Sequence, residues 1–586
     1  MKHILKHFPK KSWLYVLLNA VCILVQVYLE LKMPDYMAQI TKLTQTPGGE
    51  ISGILVAGSK MLSCAILSLL LAVIIHVIAA KVAADYSWSV RTKLYDKVES
   101  FSLEQMNKFS TPSLITRSTN DITQVQNIIV FGMMAIIKAP VMSVWAITKI
   151  STKHWQWTVA TAGAVAFVCI VLLICYFFAL PKFKKIQSLT DNINRITREN
   201  LTGLRVIRAY NAEDYQENKF EKANEEITSN NLSAHRIMAI MGPSMTIVMN
   251  GLSVIIYWIG AYLINSVSTM DKLAVFSEMV VFSQYAMQVI ISFMVLNMIF
   301  IMAPRAIVAA KRINEVLDTK PTIFDGTIDN TNCSVLGEIE FKNVSFKYPD
   351  AADYVLENIS FKAMKGHTVA IIGSTGCGKS TLINLIPRFY DATVGEVLVD
   401  GINVKEYKLD ALHNKLGFVP QKALLFAGTV NTNVAYGSNG KDEYTEDDVK
   451  RAIKIAQAQD FVEKMPYQYN SEIAQGGTNV SGGQRQRLCI ARAICRNPEI
   501  LIFDDSFSAL DYKTDRVLRQ ALKEETQGTT NIIVAQRIGT IKDADLIIVL
   551  DEGKIAGIGK HKELLDTCKV YKEIALSQLS QEELQK

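Results

Sequence analysis

Two stretches of the chain contain no Asp, Glu, Lys, Arg or His: residues 155–181, 27 positions, and residues 237–270, 34 positions. A bilayer core is crossed by about 20 helical residues, so both runs read as membrane spans. Taking the apolar runs in order predicts six spans, at 13–31, 53–80, 128–148, 155–180, 238–264 and 273–303. Past Gly337 the pattern changes to short β-branched strands, glycine-rich turns and charged amphipathic helices, with no further uncharged run of spanning length. The chain therefore divides into an α-helical membrane domain and a soluble α/β domain.

The polar segments between spans set the topology. Spans two and three are separated by a segment carrying Lys81, Arg91, Lys93, Lys97, Lys108 and Arg117; the one between spans four and five carries Lys182, Lys184, Lys185, Arg195, Arg198, Arg205, Arg208, Lys219, Lys222 and Arg236. The bias of cations toward the cytoplasm puts both inside, with the basic N-terminus (Lys2, Lys6, Lys10, Lys11) and the soluble domain. No small-residue cleavage site follows the first span, which reads as an uncleaved anchor. Both cytoplasmic segments read as helix, extending the spans into protruding hairpins. Their tips are predicted at Phe109-Ser110-Thr111-Pro112-Ser113 and Asn200-Leu201-Thr202-Gly203. Lys138 and Glu278 fall inside spans, where an ionisable group is a functional candidate by default; the expectation here is that both snorkel. Gln26, His76, Gln284 and Gln288 are open to two readings, as the lining of a polar cavity or as partners between helices.

Composition agrees with two unlike halves. The 586 residues are 49% apolar and 20% charged, and the mean hydropathy of +0.17 is too high for an ordinary soluble enzyme and too low for a chain wholly in lipid. The net charge of +6 is accounted for by topology, so nucleic acid is not an expected partner. Nine cysteines without a CxxC pair predict neither structural disulfides nor a zinc site.

The soluble half carries phosphate chemistry. After the strand-like Thr368-Val369-Ala370-Ile371-Ile372 comes Gly373-Ser374-Thr375-Gly376-Cys377-Gly378-Lys379-Ser380-Thr381, a GxxxxGK[ST] loop in the required strand–loop–helix setting. Its glycines let backbone N–H groups approach phosphates, Lys379 reaches the β- and γ-phosphates of ATP, and Ser380 can ligate Mg²⁺. Downstream, Ile500-Leu501-Ile502-Phe503-Asp504-Asp505 reads as a buried strand ending in two carboxylates, the first a Mg²⁺ ligand. Between them Val480-Ser481-Gly482-Gly483-Gln484 opens a basic helix, which suits either phosphate binding or simple N-capping.

Together these motifs resemble those of the ATP-binding cassette (ABC) exporters over nearly the whole length. The resemblance implies six spans with long intracellular hairpins (1–303), a linker (304–336) and a P-loop nucleotide-binding domain (337–586). It further implies that Tyr348 stacks on adenine and that Gln421 contacts Mg²⁺. Val480–Gln484 would be the signature that reaches an ATP held by the opposite cassette of a dimer, and Ser508-Ala509-Leu510-Asp511 the loop between cassettes. The segments 109–126 and 200–215 resemble the regions around the family's coupling helices.

Two positions depart from that pattern. The family's catalytic Glu is replaced by Asp505, and its switch His by Gln536. Asp holds its carboxylate about 1.5 Å further back, and misplacement by about an ångström costs around 100-fold in rate; Gln offers no titratable imidazole. The signature is intact apart from Val480 for Leu, although Ala474-Gln475-Gly476-Gly477 before it is also atypical. By resemblance this is the degenerate-site member of a heterodimeric exporter in a bacterial plasma membrane, working beside an unlike half-transporter and membrane lipid on a small amphipathic, multidrug-type substrate. A slow homodimer and a nucleotide-sensing regulatory subunit are the alternatives.

Overall fold

The structure is a computed structural model that describes residues 8–45, 51–151, 154–268, 271–329, 336–349, 351–440 and 443–578. Lys2, Lys6, Cys333 and part of the expected linker lie outside them. The chain forms two compact units: residues 1–99 with 112–319, and residues 100–111 with 320–586.

The first unit is all helix. Its long elements are α1 (Ser12–Gln45), α2 (Ile51–Glu99), α4 (Ile122–Ser151), α5 (Trp155–Thr202), α7 (Glu213–Ala239) running on into α8 (Met241–Ser266), and α9 (Lys272–Asp318); the short α6 (Leu204–Ala209) lies between α5 and α7. Among the described residues, six helical stretches are long and apolar enough to cross a membrane, as the hydropathy predicts. The 49 residues of α2 make a rod of roughly 70 Å, more than twice the hydrocarbon thickness, so it extends well beyond the bilayer. The helices meet through an apolar core including Ile23, Val27, Ile75, Trp157 and Phe282, all nearly inaccessible. Polar ties fix their register. Trp157 Nε1 donates to the Ile256 carbonyl at 3.1 Å, and Tyr285 Oη donates to Asp35 Oδ1 at 2.8 Å. Lys149 pairs with Asp35 at 3.0 Å.

Lys138 finds a partner on another helix. Its Nζ sits 2.8 Å from Glu30 Oε1 on α1, because the pairing neutralises a charge that hydrocarbon would otherwise expose. Glu278 lies 3.8 Å from His154. The second cytoplasmic segment breaks at Gly203, as expected, and again at Tyr210–Ala212, where Asn211 takes φ +50°.

The second unit is built on two main sheets. One is antiparallel, in the order β2 (Leu356–Ala363), β1 (Ile339–Phe346), β4 (Val394–Val399), β5 (Ile402–Asn403). The other has the order β12-β11-β3-β10-β9-β6, formed by β3 (Thr368–Gly373), β6 (Leu416–Val419), β9 (Ile500–Asp504), β10 (Thr530–Val534), β11 (Leu546–Asp551) and β12 (Lys554–Gly559). Only β12 runs antiparallel there. Two-residue strands β7 (Gly428–Thr429) and β8 (Glu472–Ile473) form a minor pair. All five residues of both β9 and β10 are buried, as parallel strands covered on both faces must be. The helix α3 (Leu103–Phe109) also belongs to this unit: its Asn107 Nδ2 donates to Tyr390 Oη at 3.3 Å and its Gln105 Nε2 to Thr322 at 3.1 Å.

Candidate nucleotide site

Topology brings the site together. Strand β10 lies between β3 and β9, with Val534 level with both Ile371 and Asp504, so the carboxyl ends of three parallel strands converge. Open α/β sheets bind ligands at such ends. The residues leaving them are the 373–378 loop, Gln536, and the pair Asp504 and Asp505.

The loop opens the helix α10 (Lys379–Asn384). A side chain at Gly373 would meet the Leu550 carbonyl at 2.1 Å, and Gly378 holds φ +95° against Leu356; only glycine fits either place. Ser374, Thr375 and Gly376 are exposed and Cys377 is buried. Lys379 Nζ donates to the carbonyls of Gly373 and Ser374 at 2.8 and 2.6 Å, which holds its ammonium against the loop. Ser380 Oγ donates to Asp504 Oδ1 at 2.8 Å. A hydroxyl and a carboxylate this close, with the Gln421 carboxamide nearby, are the hard oxygen donors that Mg²⁺ takes, so the residues present fit that ion.

Asp504 is buried, and burial raises its carboxyl above the ordinary aspartate range; neighbouring Asp505 adds to this, while the Ser380 hydrogen bond and Lys379 oppose it. Asp505 follows at the strand end with φ +49°. Burial raises its carboxyl as well, against the hydrogen bond from Gln421, the charge of Lys379 and bonds from Ser508 and Gln536. Gln536 Nε2 donates to Asp505 Oδ2 at 2.8 Å. The two residues that depart from the family pattern therefore touch, and the carboxylate is tethered by two amides.

Tyr348 Oη lies 3.1 Å from Thr381 Oγ1, and its ring meets Tyr390 edge-on at 5.3 Å. This ties it to α10 and, through Asn107, to α3. Ser481 caps the helix α11 (Gly482–Cys495): Ser481 N donates to Gln484 Oε1 at 2.9 Å and Gln484 N to Ser481 Oγ at 3.3 Å. Ser481 and Gly482 are nonetheless exposed, and a side chain at Gly483 would approach the Ala509 carbonyl to 3.5 Å, so the signature abuts the 508–511 loop. Asp511 accepts from Thr514 N at 3.0 Å, a bond that holds its carboxyl below the usual range. Among the described residues no hydrogen bond joins Ser481–Gln484 to Lys379, Asp504 or Asp505.

One residue escaped the sequence reading. Gln578, near the end of the chain, donates from Nε2 to the Gln536 carbonyl at 2.7 Å and accepts from Ile538 N at 2.8 Å, gripping the switch segment from both sides. No local pattern announces such a contact.

Residues 15–293 match the family model described as the ABC transporter transmembrane region, and residues 356–508 the one described as ABC transporter. An uncharacterized ABC transporter ATP-binding protein of Mycobacterium tuberculosis is 37% identical over 95% of this chain and 94% of its own. An ATP-dependent lipid A-core flippase of Pseudomonas fluorescens is 31% identical over 83% of this chain and 79% of its own. A solved bacterial Atm1-family ABC exporter with ATP bound superimposes with a TM-score of 0.78 at 23% identity, covering 97% of this chain and 99% of that one.

Proposed function

The chain belongs to the ABC transporters as a membrane region fused to an ATP-binding cassette, and from that premise we propose that it is the degenerate-site half of a heterodimeric exporter. It is an ATP-driven exporter subunit, multi-pass in the membrane, with its cassette in the cytoplasm. The proposal concerns the division of labour. Residues 1–303 would form the transport domain, 304–336 the linker and 337–586 the cassette. Lys379, Ser380 and Asp504 would retain ATP at this chain's own site, with Tyr348 against the adenine. Ser481, Gly482, Gly483, Gln484 and Asp511 would complete the site of an unlike partner.

The observation that carries this reading is the 2.8 Å bond between Gln536 and Asp505. A base that polarises an attacking water must hold its carboxylate free toward that water. Asp505 is already one methylene short and is further engaged by the Gln536 and Gln421 amides. A Mg²⁺ ion held by Ser380, Gln421 and Asp504 would supply charge neutralisation at the phosphates. With hydrolysis weak here and the signature complete, the productive site is assigned to the partner's phosphate loop.

The exposed Leu201, Leu204, Val206, Tyr210 and Tyr215 around α6 leave an apolar surface for the opposite half-transporter to cover, whether like or unlike. A small amphipathic substrate remains the proposed cargo. The complex purified from its native membrane tests the pairing. Recovery of a second half-transporter with Glu and His at the two positions is expected; recovery of this chain alone, in even copy number, would overturn it.

A further inference from the structure

In the membrane unit, α1, α4 and α9 line an open cavity of about 400 Å³ that includes Glu30, Lys138, Gln288, Met33, Met134 and Met142. Its polar groups are unevenly satisfied. Lys138, Gln26 and Ser68 all donate to one oxygen of Glu30, Oε1, at 2.8, 3.0 and 3.4 Å. No hydrogen bond reaches Oε2 among the described residues. Lys138 spends one of its three donors on this pair. Gln288 Oε1 is buried at the same cavity without any partner.

An ion pair is costly in hydrocarbon, and apolar residues of equal size hold helices together as well or better. The unspent capacity is specific: N–H donors at Lys138, and acceptors at Glu30 Oε2 and Gln288 Oε1. A ligand of a single charge would meet one partner of opposite sign and one of like sign, about 3 Å apart. A head bearing both an anionic oxygen group and a primary ammonium matches all three. Met134, Ala135 and Val295 also line a second cavity of about 190 Å³, walled by Ile128, Phe131 and Ile299. The two share a wall, and the second is apolar enough to take a chain.

We propose that these adjoining cavities bind a zwitterionic amphiphile with a primary ammonium, its head between Lys138, Glu30 and Gln288 and its tail against Ile128 and Phe131. The methionines suit tails of varied shape. That this ligand is the transported substrate rests on the export reading above; its binding does not.

The test measures binding to the purified full-length complex in nanodiscs, using lauroyl lysophosphatidylethanolamine, its choline and phosphatidic acid counterparts, and dodecylamine. Charge-assisted hydrogen bonds predict a preference of roughly tenfold or more for the ethanolamine head. Lys138→Gln and Glu30→Gln should each abolish that preference, and the Glu30→Lys/Lys138→Glu exchange should keep it. Gln288→Ala should erase discrimination against the choline head. Folding of each variant is followed by its thermal shift with ATP. Equal binding of all heads, insensitivity to the single variants, or loss in a folded exchange variant would overturn the site. Binding as predicted without movement of the ligand across vesicles would instead overturn the export reading and leave the site standing.

Discussion

Exchanging Asp505→Glu together with Gln536→His should restore hydrolysis at this chain's own site. The carboxylate lies 2.8 Å from the Gln536 amide, so a Glu alone would extend into that amide; both positions must change. Glu advances the carboxylate by about 1.5 Å, and an error of about an ångström in a reacting group is worth on the order of 100-fold in rate. Part of that gain depends on the partner's signature, so an increase of roughly ten- to hundredfold is expected. The assay is single-turnover phosphate release from the assembled transporter with the partner's own site silenced. A change below about twofold would refute the reasoning, because position and tethering would then not be what limits this site. So would a wild-type rate already equal to that of the double variant.

Three further outcomes follow from the same geometry. Ser481→Ala should nearly abolish turnover of the assembled pair while Lys379→Ala only weakens it, measured as steady-state ATPase; equal effects would contradict the assignment of the two motifs to different sites. Asp504→Asn should raise the melting temperature of the nucleotide-free protein at neutral pH. Its carboxyl is raised in the fold above the ordinary 3.8, mainly by burial, so this group favours folding below that pH and the benefit is lost as pH rises through the native value; the advantage of the variant should therefore vanish as pH falls toward 4, by differential scanning fluorimetry. Tyr390→Phe removes the acceptor for Asn107, a bond worth about 1 kcal/mol, and should reduce substrate stimulation of ATPase while leaving basal turnover within twofold; a matching loss of both would mean a purely structural role.

Much of this architecture is legible in the chain itself. The six spans announce themselves as long apolar runs, two of them wholly uncharged, whose burial in lipid is favoured, and the phosphate loop because a strand, a glycine turn and a helix must follow in fixed order. What escapes is what joins distant residues. Glu30 and Lys138 are 108 positions apart, one at the end of a predicted span and the other in the middle of another; only packing of α1 against α4 pairs them. The contact of Gln536 with Asp505 depends on the parallel register of β10 with β9, in which Val534 and Asp504 are level. Ser481 illustrates a motif with two simultaneous uses: it caps α11 and still presents an exposed face, so the sequence alternatives of capping and phosphate binding do not exclude each other. The second break at Tyr210–Ala212 carries no proline or glycine, and its Asn211 is the single local hint.

The central claim is that this chain supplies half of one productive ATP site and cannot turn over alone. Steady-state ATPase of the purified full-length chain in lipid, with Mg²⁺ and saturating ATP, tests it most directly. Turnover near background, rising when the unlike half-transporter is added, is the predicted result; robust turnover by this chain alone, unchanged by any partner, would contradict the account.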